Sequence, residues 1–430
     1  MIEFERALEE VLRRTRRMGI ESLSLKEAIG SVLAEDVKSK FDIPSFHKSA
    51  MDGYAVCAKD IESAPVDLKC VGEIPAGRFY PGKVKKGECV KIMTGSPLPE
   101  GADSVVMIEF TESSPPSFIL PRKGGGGEES EVLPLDGSET PGDRWGCNLV
   151  RILHRVSKGE NVCLKGEDIK KGKIVLKKGT VIRAPEVAVL AILGRAKIRG
   201  YRRPKASILC TGDELIEPGH RLLKFSHIYN SNGPMLRSLL SSMNIENQYL
   251  GIAKDKEEDL REKMKKGLKD DLLILSGGVS MGDYDLVPKV LRSCGVKIIF
   301  HKVSIKPGKP ILFGLRGRNL IFGVPGNPVS TYLTFLILIK PAIEKMIGKK
   351  ISLEIVKGII KTDFRQKPGK RKHFLPVDVK MKHNERQIFP VKTYHGSADI
   401  ASLLPANGFM VVDADVSFLK KNSKVDIILW

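Results

Sequence analysis

Apolar positions recur at helical spacing over residues 2–18, where Phe4, Leu8, Val11, Leu12 and Thr15 share one face and Gly19 is placed to end the helix. Ser24-Leu25-Lys26-Glu27 has capping-box spacing and predicts a second, short helix. Two helices of this size enclose no core, so they must pack on a later segment or on a second subunit. From Phe41 the period shortens to strands punctuated by Gly and Pro, through Val56, Val71, Val90-Lys91-Ile92 and Val105-Val106-Met107, which predicts a small β-rich domain. Residues 113–148 break this pattern. Pro115-Pro116 and the run Gly124-Gly125-Gly126-Gly127 carry no periodicity and read as a long flexible loop or hairpin insertion.

Past Pro185, helices and strands alternate. An apolar helix over 185–193 leads to the strand Ala206-Ser207-Ile208-Leu209-Cys210, and Asn230-Ser231-Asn232-Gly233-Pro234 opens a helix bearing Met235, Leu236, Leu239 and Leu240. A helix over 257–268 precedes the strand Leu272-Leu273-Ile274-Leu275. Another over 286–291 precedes strands at Ile298-Ile299-Phe300 and Ile311-Leu312-Phe313. The alternation predicts a parallel sheet with helices on both faces, an arrangement that places ligands at the carboxyl ends of the strands. Residues 328–346 read as one long buried helix. Beyond Gly348 alternating β texture returns and predicts a small separate β-domain.

A length of 430 residues fits about two to four domains. With 42% apolar and 6% aromatic residues the chain can fold as a soluble globular protein. Its start shows no basic segment leading into an apolar one. The longest apolar run, 332–339, falls far short of the ~20 residues that span a bilayer, so a cytoplasmic location and no membrane partner are expected. Seven cysteines, no two at C-x-x-C spacing, argue against a disulfide framework or thiolate zinc site and read as buried small hydrophobes or incidental thiols. The net charge of +20, from 71 basic and 51 acidic residues, is dispersed along the chain. It reads as a solvated basic surface able to steer small anions. No basic helix with interleaved aromatics points to nucleic acid.

The chemistry concentrates in one stretch. The strand at Leu272 runs into Ser276-Gly277-Gly278-Val279-Ser280-Met281-Gly282-Asp283-Tyr284-Asp285, a glycine turn whose N–H groups can approach an anion closely. Lys306-Pro307-Gly308-Lys309-Pro310 sets two ammonium groups in a proline-bracketed segment, and Pro325-Gly326-Asn327-Pro328 ends a strand and starts a helix, where free N–H groups and the dipole favour an anion. A second strand ends in Thr211-Gly212-Asp213-Glu214-Leu215. Each of Asp213 and Asp285 alone reads as a turn or helix cap. Side by side at adjacent strand ends they read as holders of Mg²⁺ beside a phosphate site. Taken alone, Met51-Asp52-Gly53-Tyr54 is a simple turn.

These motifs, with Ser49-Ala50-Met51-Asp52-Gly53-Tyr54-Ala55, Lys91-Ile92-Met93-Thr94-Gly95, Pro99, Gly101-Ala102-Asp103 and Gly166-Glu167-Asp168, resemble in order and over most of the chain the MoeA family, the molybdopterin molybdenumtransferases, which includes the C-terminal domain of gephyrin. The resemblance implies a multidomain α/β and β fold. Its parts would be an extended dimerisation domain from residues 1–45 plus 150–175, an inserted β-rich domain at 46–149, a MogA-like doubly wound α/β catalytic domain at 176–347 and a β-barrel-like domain at 348–430. It implies a homodimer whose cleft combines the α/β domain of one subunit with the inserted domain of the other, and thereby a place for the N-terminal helices. The implied reaction inserts molybdate or tungstate into the dithiolene of adenylylated molybdopterin and releases AMP.

Carried over by motif, Ser276, Gly277, Gly278 and Ser280 would hold phosphate or pyrophosphate, Thr211 and Gly212 would bind substrate beside them, and Asp213 and Asp285 would position Mg²⁺. Lys302, Lys306 and Lys309, with Pro325, Gly326, Asn327 and Pro328, would surround the oxyanion and phosphates. Asp52, Thr94 and Glu167 would reach in as catalytic polar and acidic groups, Asp52 and Thr94 from the partner. His47-Lys48 departs from a position often acidic or amidic in the family, and Ser397, Ser402 and Arg371 match an oxyanion role only loosely. Two alternatives stand beside this: a molybdopterin adenylyltransferase, which the α/β domain alone resembles, and a gephyrin-like scaffold without catalysis. Ligand types do not separate molybdate from tungstate.

Overall fold

The computed structural model describes residues 1–113, 148–220, 225–279, 286–351 and 353–430. The insertion expected within 113–148, and the expected roles of Ser280 and Asp285, therefore lie outside the described residues. The described chain falls into two compact units, one of Met1–Glu35 with Lys177–Trp430 and one of Asp36–Leu176.

Helix α1 (Phe4–Arg14) buries Phe4, Ala7 and Val11 on the face read from the sequence. It packs on later segments of its own chain. Phe4 meets Phe374 edge to face at 5.5 Å, and Lys345 Nζ donates to Leu12 O at 2.6 Å. The helix stops at Arg14, short of Gly19, and the chain enters strand β1 (Ile20–Ser24). The expected capping box starts α2 (Leu25–Ala28): Glu27 N donates to Ser24 Oγ and Ser24 N donates to Glu27 Oε2.

The Asp36–Leu176 unit is built on a six-stranded sheet of β2 (Gly53–Val56), β3 (Val66–Ile74), β4 (Glu88–Ile92), β5 (Ser104–Met107), β6 (Thr111–Ser113) and β7 (Asn148–Ile152), in the order β5-β2-β4-β3-β7-β6. Alternate residues of β2 feed the two faces. Tyr54 and Val56 join Leu68, Val106 and Ile152, whereas Ala55 joins Ile74, Val90 and Val105. Gly53 starts β2 because nothing larger fits: a Cβ there would lie 1.9 Å from Val106 O on the neighbouring strand.

In the other unit, α3 (Ala184–Ile192) leads to β8 (Lys197–Tyr201), which pairs with β1. The α/β body follows: β9 (Lys205–Thr211), α4 (Asn232–Ser242), β10 (Glu246–Ala253), α5 (Glu257–Gly267), β11 (Leu272–Ser276), α6 (Leu286–Ser293), β12 (Lys297–Phe300), the short β13 (Ile305–Lys306), β14 (Leu312–Arg316) and β15 (Asn319–Val324). The sheet order is β10-β9-β11-β15-β14-β12. Ile208, Ile274 and Phe322 face α4 and the helices after β15, while Leu209, Leu275 and Ile321 face α5 and α6, so both faces are covered as expected. The expected all-parallel sheet is corrected at one strand. β14 runs antiparallel to both neighbours, because only Gly317 and Arg318 separate Arg316 from its partner Asn319, and so short a turn joins only antiparallel strands.

The long helix expected over 328–346 is buried, but it is α7 (Pro328–Thr334) and α8 (Lys340–Met346) joined by a wide π turn, Phe335–Ile339. Pro341, at the start of α8, has no N–H for the preceding turn, and the wider turn accommodates the missing bond. Beyond it β16 (Ile355–Ile360), β17 (Lys372–Lys382), β18 (Glu385–Pro390), β19 (Gly408–Val412) and β20 (Lys424–Leu429) run in the order β17-β18-β16-β20-β19. β19 pairs again with β17 and closes a five-stranded barrel around Ile360, Val377, Ile388, Met410 and Ile427. β13 pairs in parallel with β17, Lys306 opposite His373, and so joins the α/β body to the barrel. No helix among the described residues is long and apolar enough to cross a membrane. The six described cysteines are free thiols, with Cys89, Cys210 and Cys294 buried.

Candidate functional site

Three parallel strands deliver their carboxyl ends to one rim: β9 with Thr211, β11 with Ser276 and β15 with Val324. Gly277 N donates to Val324 O at 3.1 Å, which locks the glycine turn onto the end of β15. Gly277 has φ +91°, and a Cβ there would lie 2.4 Å from Thr211 O, so only glycine admits this close crossing. Asn232, at the start of α4, donates through Nδ2 to Ser276 Oγ at 2.8 Å and to Gly326 O at 2.6 Å. It thereby ties the turn after β11 to the turn after β15. These groups line a cavity of about 300 Å³.

A larger cavity of about 980 Å³ lies between the α/β body and the barrel, and Gly326 and Asn327 line both. Lys306, Lys309, Arg365, Lys367 and Arg371 line it with His373, and no acidic residue does so among the described residues. The β13–β17 pairing sets Lys306 opposite His373. Burial, then the charges of Lys306 and Arg371, hold the His373 imidazole below its ordinary pKa. Asn327 Nδ2 donates to Ser397 Oγ at 2.7 Å, and Val329 N donates to Ser397 O at 3.0 Å, so Ser397 stands at the turn. Ser402 does not line the cavity. It is buried, and its hydroxyl donates to Asp399 O at 2.6 Å.

Asp213, just past β9, is exposed, and its Oδ1 accepts from Asp255 N at 3.3 Å. Asp255, in the loop after β10, was not singled out by sequence reasoning. Burial and then the Asp213 charge push its carboxyl above the ordinary range. The two acids are near enough for the Asp213 charge to act on Asp255, and their oxygen donors are of the kind that suits a hydrated divalent cation that keeps several waters. Among the described residues no group of three or more His, Cys, Asp or Glu is placed to hold a metal. Lys302 sits apart from the rim. Its carbonyl accepts from Ile2 N, and it lines a separate cavity of about 430 Å³ with Met1 and Arg6.

In the Asp36–Leu176 unit, Asp52 and Thr94 meet. Asp52 Oδ1 accepts from Thr94 N at 2.6 Å and Thr94 Oγ1 at 2.8 Å, and these bonds hold the exposed carboxyl below its ordinary range. The Glu167 carboxylate accepts from Leu164 N at 2.7 Å, and His47 Nδ1 accepts from Lys165 N at 3.2 Å. Asn232 lies in the run expected to open α4, which carried no site role in the sequence.

A mostly parallel sheet with a glycine turn at the carboxyl ends of its strands, joined through the β13–β17 pairing to a barrel with which it lines a cationic cavity, defines an α/β enzyme with a positively charged cleft. The chain matches the family descriptions "MoeA N-terminal region (domain I and II)" over residues 2–194, "Probable molybdopterin binding domain" over 207–345 and "MoeA C-terminal region (domain IV)" over 357–430. It is 30% identical over 433 residues to the molybdopterin molybdenumtransferase of Staphylococcus epidermidis, covering 98% of this chain and 95% of the relative. The enzyme of that name from Staphylococcus aureus is 29% identical over 437 residues, covering 100% and 95%. The solved molybdopterin biosynthesis MoeA protein of Pyrococcus horikoshii is similar with a TM-score of 0.75 and 30% identity, covering 100% of each chain. The chain belongs to the MoeA family.

Proposed function

We propose that this enzyme acts in molybdenum cofactor biosynthesis by inserting molybdate, or tungstate, into the dithiolene of adenylylated molybdopterin, with Mg²⁺-dependent release of AMP. The observation that carries this reading is the pair of cavities sharing Gly326 and Asn327, one cationic and one against the glycine turn. Bringing an oxyanion up to a phosphoanhydride sets like charges together, and breaking that bond needs charge neutralisation and in-line positioning more than a strong nucleophile. Lys306, Lys309 and Arg371, with the Pro325-Gly326-Asn327-Pro328 turn, supply positive charge and N–H donors. The main-chain N–H groups of the motif that holds Ser276, Gly277, Gly278 and Ser280 cradle the phosphates where it meets the cationic cavity, and Thr211 and Gly212 bind the substrate beside them.

Asp213 and Asp255, with Asp285, would hold Mg²⁺, which when bound neutralises phosphate charge. Asp52, Thr94 and Glu167 complete the reading as polar groups of the inserted domain. Asp52 and Thr94 come from a second copy of the chain in a homodimer with a shared cleft. The four-domain division by the boundaries given above and a cytoplasmic location belong to the same proposal. Incubating the protein with adenylylated molybdopterin and molybdate is expected to release AMP in a molybdate-dependent manner. Release that is the same with and without molybdate would sink the reading, and a parallel series with tungstate measures the preference.

The Asp213–Asp255 contact gives a further expected result. Because Asp255 is raised above its ordinary pKa, the folded state takes its proton more readily than the unfolded chain. Its charge near neutral pH therefore costs stability, and that cost fades as the pH falls through the ordinary carboxylate range. Asp255→Asn is expected to melt above wild type near neutral pH without Mg²⁺, to match it in acid, and to lose the rise in melting temperature that added Mg²⁺ gives wild type. A Mg²⁺ response kept intact in this variant would remove Asp255 from the cation site.

A further inference from the structure

Two buried polar atoms at the carboxyl end of the α/β sheet have no hydrogen-bond partner among the described residues: Thr211 Oγ1 and Asn232 Oδ1. Their residues are 2% and 6% exposed, and both line the cavity of about 300 Å³. The orientation of the Asn232 amide is dictated by its neighbours. Gly326 O can only accept, so the nitrogen must face it, and the other amide hydrogen goes to Ser276 Oγ. The oxygen is left as the unpartnered end. Buried polar atoms left unpaired cost stability; the Asn232 oxygen can only accept and the Thr211 hydroxyl can accept as well as donate, so the two on one cavity point to a ligand that brings donors.

The cavity's character says what kind of donor. Glu214 is its one charged lining residue among those described, and Leu215, Ile228, Pro328 and Ile400 give it apolar walls. Tyr229, also lining it, is anchored by its phenol, which donates to His220 O at 2.8 Å. The cationic cavity next door suits phosphate and oxyanion. This slot, with one carboxylate, no cation among its described lining residues, an anchored aromatic ring and two unpartnered oxygens, suits a flat heterocycle bearing N–H donors.

We propose that Thr211 and Asn232 form an acceptor pair that positions the substrate by taking hydrogen bonds from an amino-substituted heterocycle, while the Asn232 nitrogen holds the Ser276 and Gly326 turns at one spacing. The inference rests on the function proposed above, whose substrate carries two such rings, a pterin and an adenine.

The test uses the full chain and two probe pairs: AMP against purine riboside monophosphate, and 2-amino-4-oxopteridine against 4-oxopteridine. Each pair deletes the amino donor and leaves the rest of the ring unchanged. Wild type is expected to bind the amino member of one pair at least about tenfold more tightly, and that pair identifies the ring in the slot. Thr211→Val keeps the shape without the hydroxyl. It is expected to reduce the preference while melting at the same or a higher temperature, since it deletes a polar atom the protein leaves unsatisfied. A merely structural threonine would do the reverse. Asn232→Ala is expected to lose the preference and to weaken both members of the pair. No preference in either pair for wild type, or a preference kept by both variants, overturns the proposal. Molybdate-dependent AMP release by wild type is read alongside: its absence counts against the proposed reaction, and turnover without ring preference counts against this inference alone.

Discussion

Replacing Gly277 with alanine is expected to lower molybdate-dependent AMP release by about a hundredfold, the usual cost of displacing a catalytic constellation by roughly 1 Å. Gly277 has φ +91°, a region that side chains enter only under strain, and its Cβ would lie 2.4 Å from Thr211 O. The obstacle is backbone, so the turn itself must move. Moving it breaks the bond from Gly277 N to Val324 O and shifts Ser276 Oγ relative to Asn232 Nδ2. Both proposed binding cavities are then deformed, since Gly277 and Gly326 line the smaller and Gly326 also lines the larger. The strand beneath is untouched: Leu272, Leu273, Ile274 and Leu275 remain buried in the two cores. Gly295→Ala serves as the control, for Gly295 has φ +81° but no atom within 4 Å of the added Cβ. It should cost about 1–3 kcal/mol of stability through strain and leave turnover near wild type. Turnover by Gly277→Ala within threefold of wild type would show that the turn does not position the substrate.

How much of this was legible in the sequence depends on what each residue type advertises. The strands at 206–210 and 272–275 are apolar runs bounded by turns, and they fold as β9 and β11. The reversal of β14 was hidden because Gly317-Arg318 is a hairpin only once Arg316 and Asn319 are known to pair. The barrel's closure depends on β19 meeting β17, a pairing between segments distant in sequence that no local periodicity encodes. Lys302 illustrates a false grouping. It stands close to Lys306 in sequence, yet the backbone around it pairs with Ile2 and carries it to another cavity. Asp255 was overlooked for the opposite reason. It lies between Lys254 and Lys256, where a lone acid reads as solvated charge, and only the adjacency of β9 and β10 sets it against Asp213. Glycines and prolines at strand ends carried the most information, because each marks a place where the backbone itself must approach something.

Removing Lys306 or Arg371 is expected to cost about a hundredfold each in turnover, in the range found when one preorganised charge or donor is deleted from an active site. Both line the cationic cavity, where no acid among the described residues competes with an anion for their charge. His373 reports on the same field. It is 7% exposed and held below its ordinary pKa by burial first, then by Lys306 and Arg371. An imidazole so depressed is neutral in the folded protein near neutral pH. The unfolded chain binds its proton first, so this contribution to stability is present above the ordinary histidine pKa and lost as the pH falls through the folded value. A dianion in the cavity reverses the local field and pulls that pKa up. Oxyanion binding is therefore expected to take up protons and to tighten as the pH is lowered toward the ordinary histidine range. Calorimetric titration of molybdate in buffers of different ionisation enthalpy measures the uptake directly. His373→Gln should abolish it while keeping most of the affinity, and Lys306→Ala should lose affinity and raise the His373 pKa in the free protein. Proton uptake equal in wild type and His373→Gln would place the oxyanion away from this wall of the cavity.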